Sequence, residues 1–220
     1  MTRAEVAGSS LPRLLLLTDR HSVPKGRTLL ETVRSAVDAG VLALVVRERD
    51  LSAAERGDLA DCCDEIMQAA GGVCLLADPD PRDAGGARPG ALHLRGSTPL
   101  PQTRPVLLGR SAHSVADVST AAADKVDYIT ISPVAVSASK PGYGPALGPN
   151  GLRTLLTAAA RESPARLPPA FALGGVDHHN GGAMLDAGAF GLAVMGAVMR
   201  AERPTVVVSA LQDAIQARVE

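Results

Sequence analysis

The sequence predicts an α/β fold, a single (β/α)8 barrel, on three observations. Short aliphatic runs without polar alternation recur along the 220 residues, each running into a polar or glycine-bearing segment. Ala-rich amphipathic stretches separate most of them. The runs number eight, which leaves about 27 residues per strand–helix unit, compact but sufficient for the fold. Runs apolar on both faces suit parallel strands covered by helices. A doubly wound open sheet is the rival, since both folds bind ligands at the carboxyl ends of their strands. The strand count favours the barrel. No long linker divides the chain, so residues 1–12 are expected to form a flexible N-terminal arm and residues 13–220 one barrel domain.

Taken in order, Leu14 to Leu17 is the first strand and ends in Thr18-Asp19-Arg20. Thr28 to Ala39 sets Leu29, Val33, Ala36 and Val37 on one helical face, and Gly40 supplies the stop. Leu42 to Val46 is the second strand, ending in Arg47-Glu48-Arg49-Asp50. Ser52, with Glu55 at capping-box spacing, starts a helix running to Ala70. Val73 to Leu76 is the third strand, ending in Ala77-Asp78, and the Pro- and Gly-rich segment after it lacks a helical pattern. Ala91 to Leu94 and Val106 to Leu108 are the fourth and fifth strands, and a helix follows over Ser114 to Ala123. Tyr128 to Ile131 is the sixth strand. Ser132 to Gly148 is the longest irregular segment and reads as a lid with Lys140 at its tip. A helix over Gly151 to Ala160 leads to the seventh strand, Ala170 to Leu173. Helices over His178 to Ala187 and Thr205 to Val219 flank the eighth, Gly191 to Val194.

Composition removes several classes of function. Twenty-two basic residues against 23 acidic ones give a net charge of −1, and the chain has no Trp, two Tyr and two Phe. Neither a basic footprint nor base-stacking platforms are present, so nucleic acid is not an expected partner. No apolar run approaches the roughly 18 residues that span a membrane. The polar N-terminus lacks the apolar stretch of a signal peptide. Cys62, Cys63 and Cys74 are odd in number and have no metal-ligand spacing, which fits reduced thiols in a cytoplasmic protein.

Polar residues at the strand ends are the candidates for chemistry. Gly174 and Gly175 follow the seventh strand, and Met195 and Gly196 the eighth. Loops at those two places commonly hold phosphate in these barrels, through backbone N–H groups that glycine lets approach closely. The same glycines also suit tight turns alone. Alternation aims Arg47 and Arg49 one way and Glu48 the other, so the two guanidinium groups suit a phosphate or carboxylate, against a surface ion pair within the triplet. His113, just past the fifth strand with Ser111, is of a residue type that can pass a proton to or from substrate. His93 reads as a core histidine bonded to backbone, and His178 and His179 as surface residues of a first helical turn. Asp78 is a lone carboxylate at a strand end, thin support for Mg2+ by itself.

From Leu14 to about Leu211 these segments resemble the thiamine phosphate synthase and thiazole tautomerase (TenI) superfamily. The resemblance rests on Thr18-Asp19, Arg47-Glu48-Arg49, His93-Leu94, Gly109-Arg110-Ser111-Ala112-His113-Ser114, Ser137-Ala138-Ser139-Lys140 and Ala172-Leu173-Gly174-Gly175, in that order. It implies a (β/α)8 barrel, a phosphorylated thiazole as ligand, and self-association. Synthases join a pyrimidine diphosphate to a thiazole phosphate and release pyrophosphate with Mg2+. Their Gln-x-Arg-x-Lys pattern falls here on Val45, Arg47 and Arg49, and their Asn-Asp on Ala77-Asp78. The place of their second metal-binding Asp falls on Thr98. A threonine hydroxyl neither neutralises nor orients a Mg2+–pyrophosphate leaving group well. On those departures the chain resembles the tautomerase branch more closely, which needs no cofactor. There His113 would shift the proton in a thiazole carboxylate phosphate. Arg47, Arg49, Ser111, Ser137, Ser139 and Lys140 would bind substrate, and Gly174, Gly175, Met195 and Gly196 the phosphate. The synthase is the alternative, with Mg2+ on Asp78 and the pyrimidine diphosphate as second substrate. A non-catalytic binder of a phosphorylated ligand is a third reading.

Overall fold

The computed structural model describes residues 11–78, 90–137, 144–163 and 165–218. Most of the expected N-terminal arm therefore lies outside the described residues, as do Ser139 and Lys140. Eight parallel strands close into a barrel in sequence order. They are β1 (Leu14–Leu17), β2 (Ala43–Val46), β3 (Val73–Ala77), β4 (Ala91–Leu94), β5 (Leu107–Ala112), β6 (Tyr128–Ile131), β7 (Ala170–Leu173) and β8 (Gly191–Val194). The seam closes where Leu14 of β1 pairs with Leu192 of β8. Around it run α1 (Leu29–Asp38), α2 (Ala53–Ala69), α3 (Val115–Ala123), α4 (Gly148–Glu162), α5 (Gly181–Asp186), α6 (Gly196–Met199) and α7 (Pro204–Gln216), with a 3-10 turn at Arg20–Ser22.

Strand alternation sorts the apolar residues into two clusters. Leu15, Leu17, Val45, Leu75, Tyr128, Phe171 and Ala193 fill the barrel interior. Leu16, Leu44, Val46, Leu76, Ile129 and Leu192 face outward beneath Val33, Met67, Leu152 and Leu211 of the helices. The runs are apolar throughout because both faces are buried. The scarce aromatic residues concentrate inside: His93, Tyr128, Phe171 and Phe190 form a chain of ring contacts with centroids 5.4 to 5.6 Å apart. Gly109 of β5 sits in register with Tyr128 of β6. A Cβ at Gly109 would overlap the Tyr128 ring and hydroxyl, so glycine there is what lets the phenol cross to His93.

The strands β1, β4, β6, β7 and β8 have the bounds the sequence predicts, and Ser52 and Glu55 make the predicted capping box. Other bounds shift by one to a few residues and α6 is not expected from the sequence; three differences have a clear physical cause. β5 continues past Leu108 to Ala112, because Arg110 stays buried in a pair with Asp124 rather than turning the chain out. α4 begins at Gly148, with a proline early in the first turn, where its missing N–H costs nothing. The helix expected from His178 starts at Gly181 instead. Asp177 and Asn180 bond each other's backbone, the Asp177 carboxylate accepting from the N–H groups of His179 and Asn180 at 2.9 and 3.1 Å. Those side-chain bonds compete with the first helical turn. The three cysteines are free; Cys62 is exposed, and burial pushes the Cys63 thiol up to about 12.

Candidate active site

The carboxyl ends of the strands surround a cleft of about 1180 Å3. His113, Arg47, Arg49, Ser111, Ser137, Gly174, Gly175, Met195 and Gly196 all line it, so the structure brings together every predicted site residue that lies within the described segments apart from Asp78. Asp78 stands directly behind two of the lining arginines.

One wall is cationic. Arg47 follows β2, and its backbone N–H donates to Thr18 Oγ1 at 2.9 Å. Among the described residues its half-buried guanidinium has no hydrogen-bond partner. Burial and the neighbouring Arg49 both lower its pKa, so an anion in the cleft would relieve it. Arg49 Nη2 and Arg95 Nε both donate to Asp78 Oδ2 at 2.7 Å, and the Arg95 backbone N–H donates to Asp78 Oδ1 at 2.9 Å. Asp78 adopts a left-handed backbone (φ +44°), a conformation that aspartate tolerates better than most residues. Glu48 forms no ion pair within the triplet. It is buried, accepts from the Arg20 backbone N–H at 3.1 Å, and pairs with the Arg20 guanidinium, which also meets Asp50. That pairing fastens the loop after β1 to the loop after β2.

The interior floor holds a polar relay. His93 Nδ1 lies 2.9 Å from the Tyr128 hydroxyl, and Nε2 lies 3.0 Å from Ser111 Oγ. The backbone bond expected of His93 is thus replaced by two side-chain bonds, because Gly109 opens the path to Tyr128. Burial raises the Tyr128 pKa, so the phenol keeps its proton. A buried hydroxyl hydrogen left unpaired is costly, so Tyr128 donates to Nδ1 and the imidazole donates from Nε2 to Ser111. The Ser111 hydroxyl is thereby left to donate into the cleft. Desolvation lowers the His93 pKa to about 4, which keeps the ring neutral. Because the unfolded chain takes up that proton near 6.5, stability is whole above pH 6.5 and falls as pH drops to 4. The loss is on the order of 3 kcal/mol. Urea midpoints between pH 7 and 4 should show it, with a shallower slope for His93→Gln; equal slopes would contradict it.

His113 stands at the rim. Its backbone N–H donates to Asp117 at 2.8 Å, and its Nδ1 lies 2.7 Å from the Ser132 carbonyl oxygen. A carbonyl only accepts, so Nδ1 carries the hydrogen, and in the neutral ring the lone pair falls on Nε2. Across the barrel, Gly174 and Gly175 take positive φ of +94° and +66°. A Cβ on Gly175 would run into the Ala135 and Val136 backbone, so the loop after β6 lies flat on this turn. Asn180 Nδ2 holds the Gly175 carbonyl at 2.8 Å. A Cβ on Gly196 would meet the Arg200 guanidinium. Arg95 and Arg200 both line the cleft, and the sequence reading did not single them out. A cation directly after the His93-Leu94 pair was the available signal for the first; Arg200 had none, since α6 was not expected.

Residues 14–198 match the family model described as thiamine monophosphate synthase (TMP-TENI). The chain belongs to the thiamine monophosphate synthase family. It is 32% identical over 212 residues to the thiamine-phosphate synthase of Albidiferax ferrireducens, covering 93% of this chain and 92% of that one. To the thiamine-phosphate synthase of Methanoculleus marisnigri it is 31% identical over 212 residues, covering 93% and 95%. The thiamine phosphate pyrophosphorylase of Pyrococcus furiosus has the same fold, with a TM-score of 0.77 at 20% identity over 99% of both chains. Both sequence relatives are named as synthases. The expected lean toward the tautomerase branch gains no support from them, and the synthase is the favoured reading. Among the described residues no helix is long and apolar enough to cross a membrane.

For a family associated with Mg2+, the donor set here fits poorly. Both Asp78 oxygens are engaged by arginines. Among the described residues no group of three or more His, Cys, Asp or Glu side chains is placed to share a metal ion.

Proposed function

We propose that the protein joins a pyrimidine diphosphate to a thiazole phosphate, forming thiamine phosphate and releasing pyrophosphate. The observation that carries this reading is the presence of two anion seats in one cleft. Arg47, Arg49 and Arg95 stand at the ends of β2 to β4, and the glycine turns with Arg200 stand at the ends of β7 and β8, on the opposite side of the ring. A joining reaction brings a diphosphate and a phosphate into one cleft, and three guanidinium groups facing the glycine turns suit a diphosphate; a thiazole carboxylate phosphate would ask only for a carboxylate partner beside its phosphate seat. The glycine turns would hold the thiazole phosphate. Its ring nitrogen attacks the pyrimidine methylene while the carbon–oxygen bond to pyrophosphate breaks, and the arginines receive the charge that develops on the leaving group. Ser111, presented as a donor by His93, orients one of the reacting groups.

A second reading, the thiazole tautomerase, draws on His113, whose Nε2 is free to act as a base. Incubating the protein with both substrates, with and without Mg2+, separates the two. Thiamine phosphate is the expected product. His113→Ala should then lower its formation by less than about 10-fold, since no proton leaves carbon in the joining step. No thiamine phosphate, together with isomerisation of a thiazole carboxylate phosphate that falls 10²–10⁴-fold in His113→Ala, would replace the synthase with the tautomerase.

A further inference from the structure

We infer that the diphosphate seat neutralises its ligand with guanidinium groups, and that Asp78 is the strut positioning Arg49 and Arg95 rather than a ligand of a divalent cation. The inference rests on the diphosphate reading above and adds how the charge is met. The Asp78 side chain is only 10% exposed, and Oδ2 is shared by Arg49 Nη2 and Arg95 Nε at 2.7 Å each. Oδ1 takes the Arg95 backbone N–H at 2.9 Å. A cation entering here would have to displace two guanidinium groups from one carboxylate and would meet their positive charge. Thr98, the position on which the resemblance places the second metal-binding acid, is neutral and closes a turn through its N–H to the Arg95 carbonyl at 3.2 Å.

The cations are also held in place. Arg110, 3% exposed, donates to the Gly96 carbonyl at 2.7 Å while paired with Asp124, and so fixes the turn that carries Arg95. Arg47, Arg49 and Arg95 outnumber the carboxylates of Asp78 and Asp19 that act on this wall, so it keeps a net positive charge for an anion. Fixed guanidinium forks match phosphate oxygens in pairs and need little reorganisation as charge develops on the leaving group.

Inorganic pyrophosphate titrated by calorimetry in EDTA tests this directly. Saturable binding in EDTA that added Mg2+ leaves unchanged or weakens is expected, because Mg2+ sequesters the free anion in solution. Arg95→Met should weaken that binding by about 10-fold with an unchanged melting temperature, since the Arg95 side chain is half exposed. Mn2+ added alone should give no enhancement of water-proton relaxation. Pyrophosphate binding only with Mg2+, or a Mn2+ enhancement abolished by Asp78→Asn, would overturn the inference and leave the synthase reading standing. No pyrophosphate binding under either condition would overturn both.

Discussion

Arg47→Met should lower kcat/KM for the joining reaction by about 10²–10³-fold and at the same time raise the melting temperature. The guanidinium is half buried beside Arg49, both of which lower its pKa, and among the described residues no hydrogen bond offsets that burial. Its position is a cost to the free fold that an anionic ligand repays. Methionine keeps the stem and its packing but removes the charge, so the like-charge repulsion goes with it. Steady-state kinetics and a thermal melt on the same preparation check both halves. A lowered melting temperature with unchanged kinetics would make Arg47 a structural residue and remove it from the anion seat.

Gly109→Ala should destabilise the barrel by about 3 kcal/mol, a large fraction of the stability of a domain this size. The added Cβ lands on the Tyr128 ring, and Tyr128 cannot yield: it is 1% exposed and packs edge-on against Phe171 with centroids 5.4 Å apart. The strand pair β5–β6 must part or the phenol must leave His93. In the second case His93 loses the partner that fixes its tautomer, and Ser111 loses its assigned role as donor. Denaturant unfolding of Gly109→Ala beside Gly109→Ser, and of the double variant Gly109→Ala with Tyr128→Phe, measures the effect. Recovery of most of the loss in the double variant would locate the clash at the hydroxyl; a loss below about 0.5 kcal/mol would mean the interior gives way easily.

Much of this site was legible in the chain, and the divide has a physical basis. Strand and helix bounds follow from patterns within a few residues, such as the aliphatic run Leu14 to Leu17 or the spacing of Ser52 and Glu55. The glycine turns at Gly174 and Gly196 and the position of His113 follow from counting strands, because a closed barrel fixes which loops neighbour the cleft. What escaped are pairings between residues that only the ring brings together. Asp78 reaches Arg49 on the preceding strand's loop and Arg95 on the following one, and Glu48 reaches back to Arg20. Read singly, Asp78 is a carboxylate at a strand end and suits a metal; read with its neighbours, it is already taken. Arg110 misled for a related reason. A charged residue inside a strand signals its end unless a partner is waiting, and Asp124 lies beyond the next helix.

The seam between Leu14 and Leu192 has a consequence for the order of assembly. Every other strand pair joins neighbours in sequence and can form by closing a local loop, whereas β1 and β8 must meet across about 180 residues. Loop-closure entropy grows only slowly with length, but long-range pairing slows folding because it is rewarded only once the intervening chain is in place. The two anion seats are affected unequally. Arg47, Arg49, Asp78 and Arg95 belong to consecutive units and assemble with local pairings, while the turn after β8 is set only when the ring shuts. The half of the cleft that carries the arginines can therefore form before the half that the turn after β8 completes.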